Sequence, residues 1–223
     1  FSTSINRQTK VTNQKTHAML SFTQADLAAM DKFYRLNLIN SITGYKSANL
    51  MGTRSVTGTD NVAIFSSVTH LGSDPAMLGF VLRPTTVPRH TYQNLKTTGI
   101  FSVNHVHAGQ IADAHHTSAK YPDHVSEFDQ TRLTPETHEG WDIPFVKEAP
   151  VQLACRYLNE YAIKENGTLL VVASIEKIFL QKTLLMEDGW VRLDLGDVVT
   201  INGLDGYAKP TLLDRFAYAR PKH

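Results

Sequence analysis

Arg89, His90 and Thr91 bring a permanent cation, an ionisable ring and a hydroxyl to the start of a candidate helix, "RHTYQNLKTTG". Together with the free amides of a helix N-terminus, that set has the chemistry to hold an anion such as a phosphate. The same residues also read as a simple N-cap, a position that favours Thr. A second cluster, Phe65-Ser66-Ser67-Val68, ends an apolar strand in small hydroxyl side chains just before a Gly72-Ser73-Asp74-Pro75 turn. Small side chains let a ligand lie close to backbone N–H and C=O groups, although Ser66 and Ser67 equally fit an ordinary surface strand. Asn49 and Thr53 lie on the preceding candidate strand, on one face by its period of two.

The histidines suggest a different chemistry. His105 and His107 in "NHVH" share a face if the segment is a strand, and His115 and His116 follow, with Asp113 or Glu127 as a carboxylate. A metal site is one reading of that set. Against it, neighbouring histidines rarely both bind one ion, and no H-E-x-x-H or Cys/His spacing is present. Histidines that pack or hydrogen-bond at a pocket rim are the plainer reading. Signatures of other reaction classes are missing: there is no G-x-G-x-x-G after a strand, no phosphate-loop lysine and no G-x-S-x-G elbow. Cys155, inside a strand-like segment, reads as a small buried hydrophobe rather than a reactive thiol.

Several elements must position these groups. Thr23 and Asp26 form a capping-box pattern, and the following "ADLAAMDKFYRLNLINSI" places Leu27, Met30, Phe33, Tyr34 and Leu38 near one helical face. Beyond Gly44 strand signals dominate: "ANLMGTRS", "NVAIFSS", "MLGFVLRP" and "IFSVNHV", with a short helix from about Thr91 to Gly99 between the last two. Residues 109–150, rich in His, Asp, Thr and Pro, read as a long irregular loop, functional or disordered. Asn166-Gly167 then marks a hairpin with a type I′ turn, and the tail beyond Val198 is weakly patterned. The expected architecture is mainly β with a few helices: a polar arm over residues 1–20 and a single domain over residues 21–223.

Lys and Arg total 22 against 21 Asp and Glu, a balance that argues against a nucleic-acid partner. No apolar run is long enough to span a bilayer, and the first twenty residues lack the apolar stretch of a secretory signal. One cysteine excludes an internal disulfide framework and fits a reducing compartment, so a cytoplasmic protein is expected.

The span from Asn40 to His105 resembles the flavin reductase-like family of FMN-binding split barrels, including flavoredoxin-like proteins. The resemblance is carried by "SANLMGTRS", "DNVAIFSSVTHLGSDPAMLGFVLRP", "RHTYQN" and "GIFSVNHV", and continues in "HTSAKYPDHVSEFDQTRLTP" and "RFAYARP". It implies a split β-barrel, generally a homodimer, with FMN near the interface. Phe65, Ser66, Ser67 and Val68 would then line the isoalloxazine, with Asn49 and Thr53 completing the pocket. Arg89, His90 and Thr91 would hold the phosphate. The implied activity is oxidoreductase chemistry in which NAD(P)H gives hydride to flavin and electrons pass to a small-molecule or protein acceptor. The family also contains FMN-binding electron carriers without a nicotinamide site, so that alternative stands beside the reductase. Hydride transfer needs stacked rings and excluded water more than a protein acid or base, so no catalytic side chain is assigned.

Overall fold

The computed structural model describes residues 19–86 and 89–221, so the expected N-terminal arm falls, apart from Met19 and Leu20, outside the described residues. By its contacts the chain divides into a unit ending at Leu36 and a unit beginning at Asn37. In the first, helix α1 (Gln24–Ala29) opens on the capping box: the Asp26 amide donates to Thr23 Oγ1, and the Thr23 amide donates to Asp26 Oδ2 at 2.7 Å. The single helix expected here is in fact two. Met30 is extended, and Asp31 Oδ1 accepts from the amides of Phe33 and Tyr34, starting α2 (Lys32–Ile42) afresh. The apolar face read from the sequence is largely open, with Phe33 70% and Tyr34 57% exposed.

The second unit is built on strands. In chain order they are β1 (Lys46–Ser47), β2 (Asn49–Arg54), β3 (Asp60–Phe65), β4 (Thr69–Ser73) and β5 (Ala76–Leu82). Helix α3 (His90–Thr98) precedes β6 (Ile100–His105) and α4 (Ile111–His116), and then come β7 (Pro135–His138) and β8 (Trp141–Val146). The long strands β9 (Val151–Ile163) and β10 (Thr168–Leu180) are followed by the short β11 (Thr200–Asn202) and β12 (Gly206–Ala208). Seven of them form one antiparallel sheet in the order β3-β2-β6-β9-β10-β5-β4. Side chains from nearly all of these strands, including Met51, Phe65, Phe80, Phe101, Cys155 and Val171, meet in one cluster, so the sheet is curled around them. Phe65 and Phe80, from strands far apart in the sheet order, touch edge to face at 5.5 Å between ring centres. The outermost strands β3 and β4 do not pair but follow one another through Ser66-Ser67-Val68. This is the expected split barrel.

Strand β2 is buried on both faces, with Met51 in the inner cluster and Leu50 in an outer one shared with Val106, Phe128, Val146 and Ile201. Residues 109–150, expected to be an irregular loop, supply part of that outer layer. They hold α4, a 3-10 turn over Glu127–Gln130 and the β7–β8 hairpin, with Ile143, Phe145 and Val146 buried. The β9–β10 hairpin is present, but its connection is the four-residue Lys164–Gly167 loop, and of these four only Gly167 has positive φ, 71°. A type I′ turn needs two such residues, so that assignment is corrected. Helix α3 starts one residue before the expected Thr91 and stops at Gly99, which takes the left-handed C-cap conformation. The tail is more ordered than its pattern suggested, since β11 pairs with both β1 and β12. Cys155 is buried as expected, and burial pushes its thiol pKa up, away from reactivity.

Strand β8 crosses the sheet at Gly52. A Cβ there would collide with the Pro144 carbonyl oxygen and lie 2.6 Å from Ser102 Oγ, which itself donates to that carbonyl. Asn104 fastens the same crossing, accepting from the Val146 amide and donating to the Leu50 carbonyl. Gly52→Ala should therefore cost at least about 1–3 kcal/mol, the scale of overpacking a tight core. Urea denaturation measures it, and an unchanged midpoint would mean that β8 yields freely.

Candidate functional site

The expected site residues fall into two groups. Asn49 pairs with Phe65 on one side and with His105 on the other, so these three residues form a row across β3, β2 and β6. Asn49 is buried, and its amide donates to Ser47 Oγ at 2.8 Å, which in turn donates to the Val68 carbonyl at 3.1 Å. The Phe65–Val68 stretch is thus pinned from behind. Ser67 Oγ donates to the Val81 carbonyl and accepts from the Val81 amide, both at 3.0 Å, so its hydroxyl ties the connection to β5. Phe65 and Val68 pack their side chains onto the inner cluster. What this stretch can offer a ligand is backbone and the half-buried Ser66.

The second group sits about 13 Å farther along β2, four residues at the usual strand rise. Thr53 is fully buried, and its Oγ1 accepts from Asn94 at 3.1 Å and from Asn61 at 3.4 Å. Asn61 also donates to Thr91 Oγ1 at 3.1 Å. Thr53 and Thr91 are therefore brought together, in a buried amide–hydroxyl network rather than facing open space. Helix α3 has no acid in its first turn and no side-chain cap at Arg89. Its first amides therefore have no capping side chain at the N-cap position, and the positive end of its dipole meets no acid in its own first turn. Arg89 Nε is buried and has no hydrogen-bond partner among the described residues. An orphaned guanidinium nitrogen at an uncapped helix start fits a phosphate.

His90 lines a polar cavity of about 210 Å³ with Asp60, Asn61, Gln93, Asn94 and Asp123. Asp60 is held in an ion pair by Arg54, which also binds Asp142. Pattern reading missed Asn61 and Asn94. Both were within its reach, because Asn61 stands opposite Thr53 across a short hairpin and Asn94 lies one helical turn beyond His90.

The outer edge of β3 is covered by side chains instead of a strand. The Val62 amide donates to Glu127 Oε2 at 3.0 Å, and the Ile64 amide donates to Thr117 Oγ1 at 2.9 Å. Asp113, the other carboxylate considered for a metal, pairs with Arg132. Among the described residues no three His, Cys, Asp or Glu side chains converge as metal ligands. His115 and His116 instead contact Tyr207 and Tyr121 respectively. Among the described residues no helix is long and apolar enough to cross a membrane.

The split antiparallel barrel is a fold shared with flavin reductase-type proteins. The description "Flavin reductase like domain" matches residues 46–191, and the chain belongs to that family of flavin-related oxidoreductases. Among solved structures it is similar to a flavin reductase-type split-barrel protein from Shewanella frigidimarina, with 37% identity, TM-score 0.87, and coverage of 90% of this chain and 100% of that one. Nitrilotriacetate monooxygenase component B from Bacillus cereus has a similar fold at 20% identity and TM-score 0.76, covering 91% and 100%. Flavoredoxin from Desulfovibrio vulgaris does so at 19% identity and TM-score 0.68, covering 78% and 92%.

Burial raises the Glu127 pKa above the ordinary glutamate value, although the Val62 amide and nearby His90 pull it down. The folded carboxyl therefore keeps its proton to higher pH than the unfolded one. Stability from this group should fall as pH rises from the ordinary glutamate pKa through the raised one. Glu127→Gln keeps an acceptor for Val62 and cannot titrate, so this slope should disappear in it. Denaturant midpoints for both proteins across acidic pH test this, and parallel curves would contradict it.

Proposed function

We propose that this chain is an FMN-binding oxidoreductase with NAD(P)H as electron donor and a small-molecule or protein acceptor. The observation that carries the reading is Arg89 Nε, buried and without an acceptor among the described residues, at the start of α3, whose Thr91 is tied through Asn61 to Thr53, about 13 Å along β2 from Asn49 behind the Phe65–Val68 stretch. A ligand with a phosphate at one end and a ring at the other suits that separation. Arg89 and the first amides of α3 would hold the phosphate, with the Thr91 hydroxyl close by. Phe65, Ser66, Ser67 and Val68 would present backbone groups to the ring, with Asn49 fixing the strand end behind them. Bound FMN supplies hydride-accepting and one-electron chemistry that no side chain here offers. The protein's part is to bind, to orient and to exclude water.

A second copy of the chain is the proposed partner. Val81, Leu170 and Tyr161 form a row across β5, β10 and β9, and Val81 and Tyr161 are 36% and 57% exposed. Sedimentation should give a dimer, and Tyr161→Glu should weaken it by burying a charge; a monomer in the unaltered protein removes this part of the proposal. Cytoplasmic placement accords with one buried thiol.

An anaerobic absorbance spectrum with FMN, before and after NADH or NADPH, tests the function. Bound flavin that bleaches is the expected result. Bleaching by dithionite alone would instead mean an electron carrier, and no FMN binding would sink both readings. Arg89→Ala should weaken FMN binding by about 1.5–3 kcal/mol, the worth of a charge-assisted hydrogen bond. Calorimetry showing equal affinity would reject Arg89 as the phosphate ligand.

A further inference from the structure

A second cavity, of about 390 Å³, opens between the β1–β2 start, the end of β6, residues 190–200 and the stretch Pro210–Leu213, which lies across it as a strap. Its walls are largely apolar, with Trp190, Val191, Val198 and Leu212 among them. Most of its polar side chains are already engaged. Ser47 bonds Val68 and Asn49, Thr200 Oγ1 donates to the Ala208 carbonyl, and Asp194 is paired with Arg192. One exception is the half-buried His105, whose imidazole has no hydrogen-bond partner among the described residues. Thr211, on the exposed strap, and the Trp190 indole N–H are the others.

We propose that this cavity binds a small, uncharged aromatic carbonyl compound, with the carbonyl oxygen accepting a hydrogen bond from His105 and the ring lying among Trp190, Val198 and the strap. Size and polarity support that class. A cavity of about 150 Å³ takes a single benzene ring, so this one has room for a fused bicycle. Largely apolar walls with few free polar groups favour a ligand with one polar edge. Isoalloxazine carries several donors and acceptors along its edge, and so few free side-chain groups would leave most of them unpaired. Burial lowers the His105 pKa to about 4, so the ring is neutral near pH 7 and offers a donor without attracting an anion. The strap is held from outside by Arg215, which pairs with Asp188 at 2.6 Å and lies 4.3 Å over the Trp190 ring. The proposal goes beyond the FMN reading and does not depend on Arg89 or α3.

The test is calorimetric titration of the full chain with 2-acetylnaphthalene, and separately with 2-naphthoate. The ketone should bind in the micromolar range and the carboxylate far more weakly, and the ketone should quench Trp190 fluorescence, an effect absent in Trp190→Phe. His105→Phe should lose about tenfold in ketone affinity, as expected for one buried hydrogen bond, while leaving the affinity for 2-ethylnaphthalene unchanged. Arg215→Ala alters only an exposed anchor and should also weaken ketone binding, which keeps the test decisive if His105→Phe does not fold. No ketone binding, equal binding of ketone and carboxylate, or unaltered affinity in Arg215→Ala would overturn the proposal. Displacement of the ketone by saturating FMN would overturn it too, because the cavity would then be the ring's own seat. Failure of FMN to bind leaves this result standing, so the two readings fail separately.

Discussion

Ser67 makes two hydrogen bonds with one hydroxyl, and the barrel depends on them. The outermost strands of the seven-stranded sheet are consecutive in the chain, yet no ladder joins them. What holds the seam is the three-residue link Ser66–Val68, tied to β5 through Val81 and to β1 through Ser47. A hydroxyl that both donates and accepts can replace one rung of a ladder. The aromatic contact between Phe65 and Phe80 fills the barrel directly behind. Because the seam is fixed by side chains, the backbone at the strand end keeps bonding capacity that a paired strand would have spent.

The same economy governs the two ends of the candidate site. At the strand end, polar side chains are consumed by structure and backbone is left over. At the start of α3 the hydroxyls of Thr53 and Thr91 are consumed by Asn61 and Asn94, while the helix amides and a guanidinium nitrogen are left over. Side chains that look like ligands in the sequence thus act as the frame. The groups free to meet a ligand are main-chain groups, Arg89 and Ser66.

Much of the architecture was legible beforehand. The strand-forming residues of "NLMGTR" and "DNVAIF", the Gly99 stop and the approximate site of the long hairpin are local signals, and local signals survive folding. What escaped was non-local. The β7–β8 hairpin was hidden by the His, Asp and Pro around Ile143 and Phe145, whose burial depends on the sheet beneath them. Glu127 and Thr117 meet β3 from more than fifty residues away, and no periodicity encodes such a pairing. The break at Met30 and Asp31 was within reach, since Asp is a good N-cap, but an unbroken apolar stripe concealed it. At the candidate site, residue types drew attention to two regions of the fold, while hydrogen-bond competition decided which atoms remained free.

Edge strand β3 carries one more consequence. Exposed N–H groups on such an edge invite any extended chain to add itself as a further strand. Here the two outward amides at Val62 and Ile64 are already occupied by a carboxylate and a hydroxyl. A neighbouring polypeptide would have to displace a buried glutamate to gain a rung. The β3 side of the seam can therefore stay unpaired without becoming a template for fibrous aggregation.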